Sequence, residues 1–255
     1  QRVVGSTLFM TLIGGSIIAI LGVVFAKQIL LLLGIDPKVM HLALPYVQWM
    51  LVGSPLLFIY IIYTSILRGV GDSITPLIAS GMTILIGLMV TPVLIAGYFG
   101  FPKMGIIAPA IASLIGFSAV LLFLYVYLNK KNHPLKLDRN LMSHIKHEPE
   151  LSRIILKLGV PTGIQMITNS VAGLVIIGLV NHYGSHATAA YGAVNQVLNY
   201  IQFPALSISI AASIFAAQAI GAGKSELLRK VTRTALVMNI IITGSLVALA
   251  YLFSK

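Results

Sequence analysis

Five side-chain amides and two tyrosines stand where such groups are uncommon, inside runs built chiefly of Ala, Ile, Leu and Val. At about 100° per residue, Tyr191, Asn195, Asn199 and Gln202 share one helix face with Thr188, Ser209 and Ser213, and Gln165 and Asn169 align with Thr162 in the run before. Tyr60 and Thr64 line up in an earlier run, and Thr91 follows Ser80 and Thr83 in another. Amide oxygens coordinate cations and amide groups bind polar solutes, yet amides do not titrate near neutral pH. The chemistry this implies is binding and passage. No nucleophile, base and orienting group converge, and no phosphate loop or metal spacing is present, so neither an enzyme nor a cofactor is expected. His182 and His186 lie four apart on a polar turn and read as solvated side chains, not as a metal site.

For a lone Ser or Thr the plainer reading is a hydrogen bond between neighbouring helices. For the cluster of Gln165, Asn169, Asn195, Asn199 and Gln202, a water-accessible cavity between two consecutive helices is expected, because five amides are costly to place in lipid without a use.

The elements that must position these groups are seven apolar runs: 8–25, 46–67, 77–98, 106–128, 154–180, 187–220 and 234–253. At about 1.5 Å per residue each is long enough to cross a hydrocarbon layer about 30 Å thick. With 58% hydrophobic and 9% charged residues, the composition describes an all-α polytopic membrane protein. The net charge of +11 is mainly a topology signal, since thirteen of the seventeen Lys and Arg fall in alternate gaps. That asymmetry predicts a cytoplasmic N-terminus. Bases flanking apolar helices, without exposed aromatics beside them, do not suggest nucleic-acid binding. The sequence holds no cysteine, which removes disulfides and thiolate metal sites.

The one long polar stretch, 129–153, separates four runs from three, giving a first region at 1–130, a cytoplasmic linker at 131–152 and a second region at 153–255. Within the linker Leu137, Leu141, Met142 and Ile145 have the spacing of one helical face, which fits a short helix on the membrane surface as well as a solvated linker. Sliding the first run onto the last with an offset of 228 pairs Arg2 with Lys230, Leu8 with Leu236, Met10 with Met238 and Phe25 with Phe253. This suggests a duplicated bundle.

The run Leu67-Arg68-Gly69-Val70-Gly71-Asp72-Ser73-Ile74-Thr75-Pro76 suits a tight reversal, with glycines for the turn, Asp and Ser to cap the next helix and Pro in its first turn. It closely resembles the L-R-G-x-G-D-[ST]-x-T-P signature of multidrug and toxic compound extrusion (MATE) transporters. Leu158-Gly159-Val160-Pro161 resembles the opening of that family's second lobe, Gly184 followed by 187–192 its G-x-x-x-x-x-A-A-x-G segment, and Gln218 to Gly223 its Q-x-x-G-A-G. The resemblance covers essentially the whole chain, as family helices three to nine of twelve. It implies a two-lobe bundle, completed by further helices of the same polypeptide, in which Leu67, Arg68, Gly69, Gly71, Asp72, Pro76 and Pro161 serve as structural hinges. It further implies a secondary antiporter of the plasma membrane, in bacteria the cytoplasmic membrane, expelling small organic, often cationic, compounds in exchange for Na⁺ or H⁺.

Departures from the family pattern bear on the coupling. Asp36, Asp72, Asp138, Glu148, Glu150 and Glu226 all lie in gaps. Where family branches carry intramembrane acids, this chain has Gly87 and Thr91 before Pro92, and Asn169 eight residues after Pro161. Two other functions fit less well. A flippase or exporter of lipid-linked saccharides would want a basic cavity, and no Lys or Arg lies mid-span; a seven-helix receptor would place its N-terminus on the opposite side of the membrane and, if it held retinal, a Lys at the centre of its last helix.

Overall fold

The computed structural model describes residues 2–32, 37–131, 133, 135–136 and 148–253. The linker stripe Leu137, Leu141, Met142 and Ile145, with Asp36, Asp138 and His144, lies outside the described residues. The described chain is all-α. Its seven helices are α1 (Arg2–Leu32), α2 (Pro37–Gly69), α3 (Ile74–Ala96), α4 (Ala108–Lys130), α5 (Pro149–Asn181), α6 (Ser185–Gly221) and α7 (Glu226–Leu252), with short 3-10 turns at Tyr98–Gly100 and Gly105–Ile107. All seven are long and apolar enough to cross a membrane.

Most of the helices run several residues beyond the apolar spans read from sequence. Pro149 opens α5 with Glu150 in its first turn, an arrangement favoured by the missing N–H of Pro and by the positive end of the helix dipole. The third helix stops short of Tyr98, because Gly97 turns left-handed at φ 74° and donates its N–H to the Val93 carbonyl.

The chain divides into two compact units, 1–157 and 158–255, with the division falling inside α5, just ahead of Pro161. In the first unit α1 packs along α2, α3 along α4, and α2 also against α4. Gly15 of α1 meets α2 so closely that a Cβ there would lie 3.1 Å from the Phe58 ring and 3.3 Å from the Pro55 Cα. Small residues permit this approach, which is how helices gain contact in lipid. The core sits at one end of the unit, where Val4, Leu8, Tyr63, Leu67, Ala79, Val120, Leu124, Leu128 and Leu135 are buried together. A smaller cluster of Leu94, Ala108 and Ala112 closes α3 and α4 at the other end. In the second unit α6 packs along α7. Large apolar side chains such as Ile20, Val24, Leu88 and Ile240 cover the outsides of the helices, the surface a bilayer requires.

Candidate functional site

On α6 the amides form a graded line. Tyr191 and Asn195 are half-buried, and Asn195 Nδ2 donates to the Tyr191 carbonyl at 3.0 Å; one and two turns further on, Asn199 and Gln202 are exposed. On α5, Gln165 and Asn169 are exposed as well. The hydroxyls nearby behave differently. Thr162, Thr168, Ser209 and Ser213 each donate to the carbonyl four residues back, at 2.9–3.0 Å, and so satisfy themselves within their own helix. The side chains of Gln165, Asn169, Asn199 and Gln202 make no hydrogen bond among the described residues.

Among the described residues α5 makes no close backbone approach along α6, which pairs with α7 instead. A bond from Thr188 Oγ1 to Asn181 Oδ1, at 2.9 Å, ties the start of α6 to the end of α5 across the turn between them. In the first unit Tyr60 does find a partner: its hydroxyl lies 3.0 Å from Ser80 Oγ on α3, and its ring packs 5.5 Å from that of Phe117. Thr91 is half-buried just ahead of Pro92, about 16 Å along α3 from Ser80 at 1.5 Å per residue. Tyr60 and Thr91 are thus separate features.

The reversal between α2 and α3 is built by backbone chemistry. Gly71 adopts φ 95°, its N–H donates to the Arg68 carbonyl at 3.0 Å, and the Asp72 N–H donates to the Leu67 carbonyl at 3.0 Å. These are the two bonds of a Schellman C-cap, which needs a left-handed residue at the Gly71 position. Gly69 remains helical, so only one of the two glycines is demanded by conformation. Asp72 Oδ1 then accepts the Thr75 N–H at 3.0 Å and caps α3, whereas Ser73, expected as a second cap, makes no such side-chain bond. Pro76 is buried in the first turn of α3, and Arg68 donates to Ser65 Oγ at 2.9 Å.

The sequence reading missed what this turn rests against. His133 Nε2 stands 3.9 Å from Asp72 Oδ2, its Nδ1 accepts the Leu135 N–H at 3.2 Å, and the buried Tyr63 hydroxyl donates to the Leu135 carbonyl. The available signal was Tyr63 itself, since a phenol buried in an apolar helix needs a partner for its O–H.

Burial alone would raise the Asp72 carboxyl, but hydrogen bonds from the Thr75 side chain and N–H, with His133 and the Ile74 N–H, hold it below its ordinary value. A carboxyl lowered on folding stabilises the fold above its unfolded pKa and loses that contribution as pH falls through its folded pKa. The wild-type melting temperature should therefore fall as pH drops below about 4. Asp72→Asn keeps a capping oxygen and should show a shallower acid decline; identical declines in a detergent melting series would remove Asp72 from this role.

The end of α6 repeats the pattern of α2. Gly223 has φ 70°, its N–H donates to the Ile220 carbonyl at 3.0 Å, and the Lys224 N–H donates to the Ala219 carbonyl at 2.9 Å. Both sequence signatures, 67–72 and 218–223, are thus Schellman caps. The MatE family profile matches residues 1–93 and 161–255. The chain belongs to the MatE family.

MatE proteins are integral membrane transporters, not enzymes. Among its relatives this MatE chain is 45% identical, over 254 residues, to the "Probable multidrug resistance protein YoeA" of Bacillus subtilis (strain 168), covering 100% of this chain and 55% of that protein. Its fold matches that of a MOP superfamily transporter from Pyrococcus furiosus with TM-score 0.87 at 20% identity, covering 99% of this chain and 55% of the other. It also matches a multidrug resistance MATE family transporter in an outward-facing conformation, with TM-score 0.85, 20% identity and the same coverage. The chain spans about half the length of the curated relatives it matches.

Proposed function

We propose that the protein bearing this MatE chain is a secondary efflux transporter of the bacterial cytoplasmic membrane, exchanging Na⁺ or H⁺ for small organic compounds, cations among them. The observation that carries this reading is the line of Tyr191, Asn195, Asn199 and Gln202 along one face of an α6 made chiefly of small and apolar residues. Exposed amides at hydrocarbon depth demand a polar neighbour, and a solute path supplies one. Gln165 and Asn169 on α5 have the same role in this proposal, as do Tyr60 and Thr91 in the first unit. Amides bind by coordination and hydrogen bonding without changing charge, so proton exchange at these positions is not part of the proposal. The lobes are assigned as 1–130 and 153–255 with a cytoplasmic connection at 131–152, and Leu67, Arg68, Gly69, Gly71, Asp72, Pro76 and Pro161 as the positions about which helices reorient. The test is extrusion of a fluorescent organic cation from cells expressing the intact protein, with the Na⁺ and H⁺ gradients collapsed in turn. Efflux that survives collapse of both gradients would overturn the antiport reading.

Orientation is proposed with the N-terminus inside. The salt bridge of Arg2 with Glu148, at 3.4 Å, and the approach of His133 to Asp72 support placing the N-terminus, the α2–α3 turn and both ends of the α4–α5 connection on one side. The basic asymmetry makes that side cytoplasmic. This sequence holds no cysteine, so in the intact protein, with any cysteine outside it replaced by Ser, Tyr183→Cys and Ser225→Cys should report from opposite faces. An impermeant maleimide added to intact cells should label the first and spare the second; the reverse result would invert the topology.

A further inference from the structure

A groove of about 420 Å³ lies between α6 and α7, wholly within the second unit. Its walls are apolar, with Ile208, Ala212 and Phe215 on one side and Val231 and Met238 on the other, and Lys230 is its one charged lining residue. On α7 the lining residues 227, 230, 231, 234, 235 and 238 make a single helical stripe, so Lys230 occupies an apolar position in it. From Lys230 to Met238 the stripe runs about 12 Å, which lies within one leaflet of a hydrocarbon layer about 30 Å thick.

Its charged end is also the charged end of the hairpin. Lys224, Arg229, Lys230 and Arg233 gather at the turn and the first two turns of α7, opposed by the single acid Glu226. A lysine in this setting lays its aliphatic stem along the apolar wall and carries its ammonium to headgroup level. Basic pockets between transmembrane helices attract anionic headgroups, and the apolar slot below suits an acyl chain. We propose that the groove seats one anionic phospholipid of the adjoining leaflet, its phosphate on Lys230 and an acyl chain between α6 and α7. The site is separate from the amide lines and does not depend on the transport reading.

Trp49 is the sole tryptophan of this sequence, so once any tryptophan elsewhere in the intact protein is replaced by Phe, fluorescence can be moved into the groove. The intact protein carrying Trp49→Phe and Phe215→Trp is reconstituted in phosphatidylcholine vesicles containing brominated phosphatidylglycerol or brominated phosphatidylcholine. Half-maximal quenching should need about fivefold less brominated phosphatidylglycerol, the preference of a single well-placed basic group. Lys230→Gln should abolish that preference, and Arg229→Gln, which is not in the lining, should leave most of it. Equal quenching by the two lipids would make the groove ordinary lipid-facing surface, and no quenching by either would mean that protein covers it; either result overturns the proposal. So would a preference that survives Lys230→Gln, or one that Arg229→Gln removes equally. Cation efflux measured on the same variants reports separately on the transport reading.

Discussion

Gly71→Val should sharply reduce the amount of folded protein in the membrane while leaving the preference among transported compounds unaltered. At φ 95°, Gly71 lies where a β-branched residue is strongly disfavoured, and its N–H and that of Asp72 make both bonds closing α2. Forcing Val into that conformation costs about 1–3 kcal/mol, and relaxing it would break the cap and shift Asp72 away from the Thr75 N–H. The damage would spread, because Leu67, Pro76 and Ala79 on either side of the turn are fully buried. Gly71→Asn, which tolerates the left-handed region better, should recover part of the loss. Gly69→Ala should be close to neutral, since Gly69 is helical and a Cβ there meets nothing within 4 Å. Fluorescence size exclusion of solubilised membranes reads the folded fraction; a normal folded fraction for Gly71→Val with an altered compound spectrum would place the turn in the binding site instead.

Asn195→Leu and Asn169→Leu should each lower efflux of a fluorescent cation by about tenfold at unchanged protein level, the scale of losing one hydrogen bond or coordination to a charged solute. Leucine is nearly isosteric and favours the bilayer, so poor insertion is not the expected failure. Ser209→Ala is the control on α6. Its hydroxyl is already satisfied by the Ala205 carbonyl at 3.0 Å, and removing both the donor and its local bond should change efflux little. Equal efflux from wild type and both leucine variants would reduce the amides to contacts between helices. Loss in Asn195→Leu alone would confine the path to the α6 line, in keeping with the absence of close packing between α5 and α6 among the described residues.

Much of the architecture was legible because the bilayer limits the solutions. Seven runs rich in Leu, Ile, Val and Ala could only be helices, since a spanning backbone must satisfy its own hydrogen bonds. The turn at 67–76 was equally readable, because a left-handed glycine followed by Asp and a first-turn Pro is local chemistry that needs no distant partner. Its one misjudged detail, Ser73 as a cap, reflects the Asp72 carboxylate taking the Thr75 N–H first.

Pairing was not legible. Helical periodicity places Tyr60 and Thr64 on one face of α2, but only the packed bundle joins Tyr60 to Ser80, Tyr63 to Leu135 and Asp72 to His133 across 20, 72 and 61 residues of sequence. Sequence adjacency assigned neighbours only in part: α1 and α2, α3 and α4, and α6 and α7 pack together, whereas α5 and α6, joined by a three-residue turn, make no close backbone approach among the described residues. Lys230 shows the same division. Composition made it one of many basic residues flanking a span, and only the approach of α7 to α6 turned it into the lone charge of an apolar groove. The sequence by itself determined the helices, their ends and which side chains share a face, because backbone hydrogen bonds, caps and periodicity act within a few residues. The tertiary structure decided which faces meet, because apolar faces of similar composition are nearly interchangeable in lipid and are told apart by the shape of small residues such as Gly15 against Pro55 and Phe58.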